Sequence, residues 1–196
     1  MSQIIITTPE EKLEQKTSLG FWVYLMTDCM LFATLFVTFV VLRGGVAGGP
    51  SGHDIFEMPI VLAETLLLLT SSFTCGLAIL AMKYGHKKLL VAGLAATYML
   101  GLSFLTIELN EFSGLVQAGH GWGQSAFLSA FFTLVGTHGA HIFVGLLWLL
   151  VLACVVLVRG VSAKTKRQLV LFSLYWHFLD LVWIFIFTVV YLMGVA

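Results

Sequence analysis

His138 and His141 stand in Gly136-Thr137-His138-Gly139-Ala140-His141, two imidazoles with no charged neighbour inside the longest apolar run of the chain. Imidazole is the side chain that most readily ligates a metal or relays a proton near neutral pH. Histidines three apart share one face of a helix, and polar groups in a membrane segment face protein or water, not lipid. A zinc hydrolase helix would space its ligands four apart with a glutamate between them, which His-Gly-Ala-His does not do. A haem clamped between helices would need two histidines at matched depth; His141 and His177 are the candidate pair, but counting along the runs puts them at different depths. The other ionisable residues within or beside apolar runs are Asp28, Glu64, Glu108, Glu111 and Asp180. Asp28, His177 and Asp180 could form a proton relay of the kind found in pumps and transporters. The alternative is that Asp180, on the same helix face as His177, joins it in hydrogen bonds that fix helix packing. No Ser-His-Asp or Cys-His arrangement emerges, and Cys29, Cys75 and Cys154 lie in apolar runs without CxxC spacing, as small packing residues.

These groups need a scaffold, and composition defines its class. The chain has 196 residues, of which 59% are hydrophobic and only 10% charged, with zero formal net charge. Its mean hydropathy is +1.00. Such a chain is an integral membrane protein, and it has no basic stripe for nucleic acid. Five apolar runs, approximately 19–42, 59–82, 89–110, 125–158 and 169–193, are each long enough to span a bilayer as a helix. The expected architecture is therefore an all-α bundle of five transmembrane helices over 19–196, preceded by a polar tail at 1–18. That tail has no apolar signal-peptide core. The glycine-rich connections at 44–58 and 112–124 turn the chain, and neither carries the Gly-Lys-Ser/Thr of a phosphate cradle. Every basic residue except Arg43 falls in the tail, the second connection or the fourth. By the positive-inside rule the N-terminus is cytoplasmic and the C-terminus periplasmic. Small residues recur at fourth positions, as in Gly93, Thr97 and Gly101, Ser72 and Gly76, and Gly136 and Ala140, where helices approach closely.

Counting about 1.5 Å per residue from the run ends places the polar groups in two layers. Asp28, His177 and Asp180 fall at roughly 12–17 Å from the cytoplasmic side, in a middle layer. Glu64, Glu108 and Glu111 fall in an outer layer. The fourth run is about 50 Å long, more than the ~30 Å hydrocarbon core, so its own ends disagree about depth. If its first turns stand proud of the bilayer, His138 and His141 join the outer carboxylates through imidazole–carboxylate hydrogen bonds.

Four segments together resemble a known family: Gly20-Phe21-Trp22-Val23-Tyr24-Leu25-Met26-Thr27-Asp28-Cys29, then Gly48-Gly49-Pro50 with Asp54-Ile55-Phe56-Glu57 and Pro59, the histidine segment above, and Tyr175-Trp176-His177-Phe178-Leu179-Asp180-Leu181-Val182-Trp183. They are similar to subunit III of the haem-copper respiratory oxidases, and the first segment, the Gly-Gly-Pro loop and the five-helix length resemble the cytochrome bo-type ubiquinol oxidase branch. The resemblance implies a tilted helix bundle docked on subunit I in a bacterial cytoplasmic (inner) membrane. It implies a non-catalytic role in assembly, stability and phospholipid binding, with haem, copper and ubiquinone held by partner subunits and none by this chain. It places Asp28 at a position usually occupied by glutamate in cytochrome c oxidases, and matches Glu111, His138, His141, His177 and Asp180 directly; Glu64 has no obvious counterpart there. The competing expectation is a stand-alone proton or cation transporter that uses the Asp28, His177 and Asp180 layer.

Overall fold

The computed structural model describes residues 9–46 and 57–195. Within them the chain is helical, with five helices long and apolar enough to cross a membrane. They are α1 (Pro9–Leu42), α2 (Met58–Lys83), α3 (Lys87–Gln117), α4 (Ala126–Arg159) and α5 (Ala163–Ile186); α5 continues through a π-helical segment, Phe187–Leu192, into a last turn, Met193–Val195. Each apolar run becomes one helix, and the differences lie at the ends. α1 begins at Pro9 instead of near residue 19, so residues 9–18 of the expected tail are helical. Proline suits a first helical turn. α3 runs seven residues past the expected 110, and α5 starts at Ala163 because Ser162 caps it, its Oγ accepting the Thr165 N–H at 3.2 Å. Most of the Gly-Gly-Pro loop, residues 47–56, lies outside the described residues.

Two sharp turns reverse the chain. After α2 and after α3 a glycine takes a left-handed conformation, Gly85 at φ 76° and Gly119 at φ 85°. The next N–H then reaches back into the helix, His86 to the Ala81 carbonyl at 2.9 Å and His120 to that of Leu115 at 2.8 Å. These are Schellman closures, which satisfy carbonyls a helix end would leave bare. The α2–α3 and α4–α5 turns lie at the same end of the bundle, where Met82, Gly85, Lys87, Leu90, Val161 and Lys166 line one recess.

α2, α3, α4 and α5 pack in a ring, each against the next and α5 back onto α2, while α1 lies outside it against α4 and α5. Lipid is as apolar as leucine, so association rests on close packing and interhelical hydrogen bonds. At Gly93 an added Cβ would stand 2.8 Å from Cβ of Ala78, which shows how closely α3 approaches α2. Gly101 on α3 and Gly145 on α4 flank the six-membered ring of Trp176, and added Cβ atoms would lie 2.8 and 2.9 Å from it. The indole fills a slot cut by two glycines. Of the small residues singled out in sequence, Gly93 and Gly101 are such contacts; Gly76 is not, since a Cβ there would meet nothing within 4 Å.

Candidate functional site

The polar groups inside the bundle form three separate clusters, each set by a different helix pairing. The first joins α1, α4 and α5. Asp28 is buried and its Oδ2 lies 3.8 Å from Nε2 of His141. His141 Nδ1 sits 2.7 Å from the Thr137 carbonyl oxygen one turn earlier. A carbonyl can only accept, so Nδ1 carries the proton, and Nε2 of a neutral ring is then an acceptor facing a carboxylate. The pair is attractive only with a further proton on one of the two groups. Tyr175 donates its hydroxyl to the backbone oxygen of His141 at 2.9 Å, which fixes α5 against α4. The phenols of Tyr24 and Tyr175 both stand near Asp28.

The second cluster is a row of hydrogen bonds between antiparallel α2 and α5. Trp183 Nε1 donates to Thr65 Oγ1 at 3.1 Å, Trp176 Nε1 donates to Ser71 Oγ at 3.0 Å, and Ser72 Oγ lies 2.5 Å from His177 Nδ1. Asp180 is buried close to Ser72 and His177. Ser71 also donates to the Thr97 carbonyl at 3.2 Å, which ties α3 into the row. Sequence reading passed over Thr65 and Ser71, and took Ser72 and Thr97 only as small residues at close helix approaches. The signal was present: a buried indole N–H needs an acceptor, and Trp176 and Trp183, seven apart, meet the hydroxyls of Ser71 and Thr65, six apart on α2.

The third cluster is Glu64 of α2 with Glu108 and Glu111 of α3, whose ligating oxygens all lie within 4.8 Å of one another. Glu64 and Glu108 are fully buried, and none of their four oxygens has a hydrogen-bond partner among the described residues. The buried Tyr191 stands beside all three. Two carboxylates at 4.8 Å repel by about 3.5 kcal/mol at an effective dielectric of ~20, so three cannot ionise together without a proton or cation among them.

The layers expected from sequence are redistributed by this geometry. Glu64, Glu108 and Glu111 do come together. His141 does not join them; it belongs with Asp28. Neither nitrogen of His138 bonds a carboxylate, and its ring is buried at centroid distances of 5.4 Å from Trp183, 6.1 Å from Phe104 and 6.3 Å from Phe32. The expected middle layer divides as well, because Asp28 faces α4 while His177 and Asp180 face α2. Among the described residues no hydrogen bond or ion pair joins Asp28 to either. Depth was counted from the ends of α4, yet His141 lies near the middle of this 34-residue helix.

Fold and site together define a polytopic helical membrane protein with polar groups held between its helices. A family model for cytochrome c oxidase subunit III matches residues 8–195. The chain is 55% identical to the cytochrome bo(3) ubiquinol oxidase subunit 3 of Pseudomonas aeruginosa over 91% of its own length and 85% of that relative's. It is 51% identical to the protein of that name from Pseudomonas putida, over 92% and 87% of the two chains. To the cytochrome c oxidase subunit 3 of Bacillus sp. strain PS3 it is 48% identical, over 91% and 86%. The chain belongs to the subunit III family of the haem-copper oxidases.

Proposed function

We propose that this chain is subunit III of a proton-pumping, cytochrome bo-type ubiquinol oxidase in a bacterial cytoplasmic membrane, where it docks on subunit I and supports assembly, stability and lipid binding without taking part in the chemistry. The observation that carries this reading is the identity to named bo(3) subunits along nearly the whole chain, and hydrogen bonds that tie α2 to α5 through Trp176 and Trp183 agree with a packing role. Haem, copper and quinone belong to its partners in this reading. Asp28, Glu64, Glu108, Glu111, His138, His141, His177 and Asp180 serve to seat helices. The N-terminus lies in the cytoplasm, which the basic residues at the α2–α3 and α4–α5 turns support. The transporter alternative needs one continuous Asp28, His177 and Asp180 layer, and the separation of Asp28 from the other two weakens it. The decisive experiment is purification of the chain from native membranes in mild detergent. Haem-bearing partners and quinol-dependent oxygen uptake are expected in the same peak; a stable complex without haem-bearing partners refutes the proposal.

A further inference from the structure

His177 lies half-way along the 30-residue span Ala163–Leu192, yet its side chain is exposed. Its counterparts in the inner turns of the helices are sheltered: Asp28, Glu64, Glu108, His138 and Asp180 are buried, and Glu111 and His141 half-buried. Among the described residues no other His, Asp, Glu, Lys or Arg is open to the surroundings at such a depth. Nδ1 is engaged by Ser72, which leaves Nε2 without a hydrogen bond. Behind it, Oδ1 of Asp180 is buried and also lacks a partner. Polar groups at this depth face protein or water.

The surface around His177 has the form of a helix-packing seam. Val170, Leu174, His177, Leu181 and Ile184 follow one another at intervals of four, three, four and three residues, and all are exposed or half-buried. That alternation is the spacing with which one helix lies along another. On α2, Leu69 and Phe73 flank Ser72 and are 40% and 65% exposed. The exposed face that these α2 and α5 residues form is thus apolar apart from one imidazole at its centre. An acyl chain offers that imidazole no hydrogen bond, a lipid headgroup sits about 15 Å away at the edge of a ~30 Å core, and apolar walls do not hold a water file.

We propose that the α2/α5 face centred on His177 is an interface on which a transmembrane helix of another oxidase subunit packs, apolar along its length and presenting one hydrogen-bonding side chain at mid-depth to Nε2 of His177. This rests on the reading of the chain as an oxidase subunit, and the test separates the two. A photoreactive benzoylphenylalanine is placed at Phe73 or at Leu181 in the intact complex and irradiated in native membranes, with the same probe at Met99 on α3 for comparison. Crosslinks from both α2/α5 positions to another subunit, at higher yield than from Met99, are expected. Crosslinks to lipid alone, in a preparation that still contains the haem-bearing subunits, overturn the interface and leave the proposed function standing. Absence of those subunits from the preparation of the unsubstituted chain refutes the function instead. As a second measurement, His177→Phe is compared with His177→Gln, which keeps a hydrogen-bonding head. The Phe variant should be retained in the complex roughly three- to tenfold less well, the range for one hydrogen bond between membrane helices, and equal retention overturns the interface.

Discussion

Replacing Gly101 by alanine tests the claim that glycine slots, not apolar burial, set the helix spacing. The new methyl would stand 2.8 Å from Cζ2 and 3.0 Å from Cη2 of Trp176, and 3.1 Å from Cδ2 of Leu146. The indole has no room to retreat, because Gly145 approaches its other side and Nε1 is tied to Ser71. Forcing a methyl into so tight a contact costs about 1–3 kcal/mol, while alanine returns up to ~1 kcal/mol of helix propensity. Gly114, on the same helix, provides the control, since a Cβ there meets nothing within 4 Å. Gly101→Ala should therefore be about 1–3 kcal/mol less stable than Gly114→Ala, the difference isolating the packing term. The assay is SDS titration in mixed micelles, followed by circular dichroism. Trp176→Phe removes the atoms that clash, so the Gly101→Ala, Trp176→Phe double variant should be more stable than the sum of the singles by roughly 1–3 kcal/mol. Equal stability of the two alanine variants, together with an additive cycle, would refute the slot.

Two further outcomes follow from the clusters. Thr65→Val keeps the shape of the side chain but strands the Trp183 N–H in the core, which should cost about 1–3 kcal/mol in the same titration, with much of the loss recovered when Trp183 is also changed to Phe. A double-mutant cycle between Asp28→Asn and His141→Asn should show a coupling of about 0.5 kcal/mol or more, whereas one between Asp28→Asn and His177→Asn should be additive within ~0.3–0.5 kcal/mol; measurable coupling in the second cycle would restore the continuous layer that the fold divides.

Hydropathy located all five spans, because an apolar run long enough to cross a bilayer has few alternatives to a helix. The ends were harder. Glu10 to Ser18 and Glu111 to Gln117 are polar enough to read as tail or loop, yet a helix already nucleated continues through such residues until a proline or a left-handed glycine stops it. The carboxylate cluster was legible from depth alone, since Glu64, Glu108 and Glu111 lie close to the ends of shorter runs. His141 was not, because a helix of 34 residues is longer than a span needs, so counting from either of its ends gives a different depth. The hydroxyl row on α2 escaped notice because Ser and Thr in apolar runs look like small packing residues until the indoles opposite them are known. Which side of α5 faces α2 is a matter of helix rotation, and only the packed bundle decides it.

The widened turn at Phe187–Leu192 bears on how this chain can change length. A π-turn holds one residue more than the α-turn it replaces, and it takes up that residue locally without rotating the helix before it. Here it follows directly on Ile186, so Trp176, Trp183 and their partners on α2 keep their phase whatever happens beyond it. Within it Val190 and Tyr191 both point inward, while Thr188 turns its hydroxyl back on the Ile184 carbonyl at 2.8 Å and faces out. Removing Thr188 would let the turn close to α-helical pitch. The end of α5 is thus a place where a codon can be gained or lost at small structural expense, with the tyrosine beside the three glutamates as the part that has to be re-aimed.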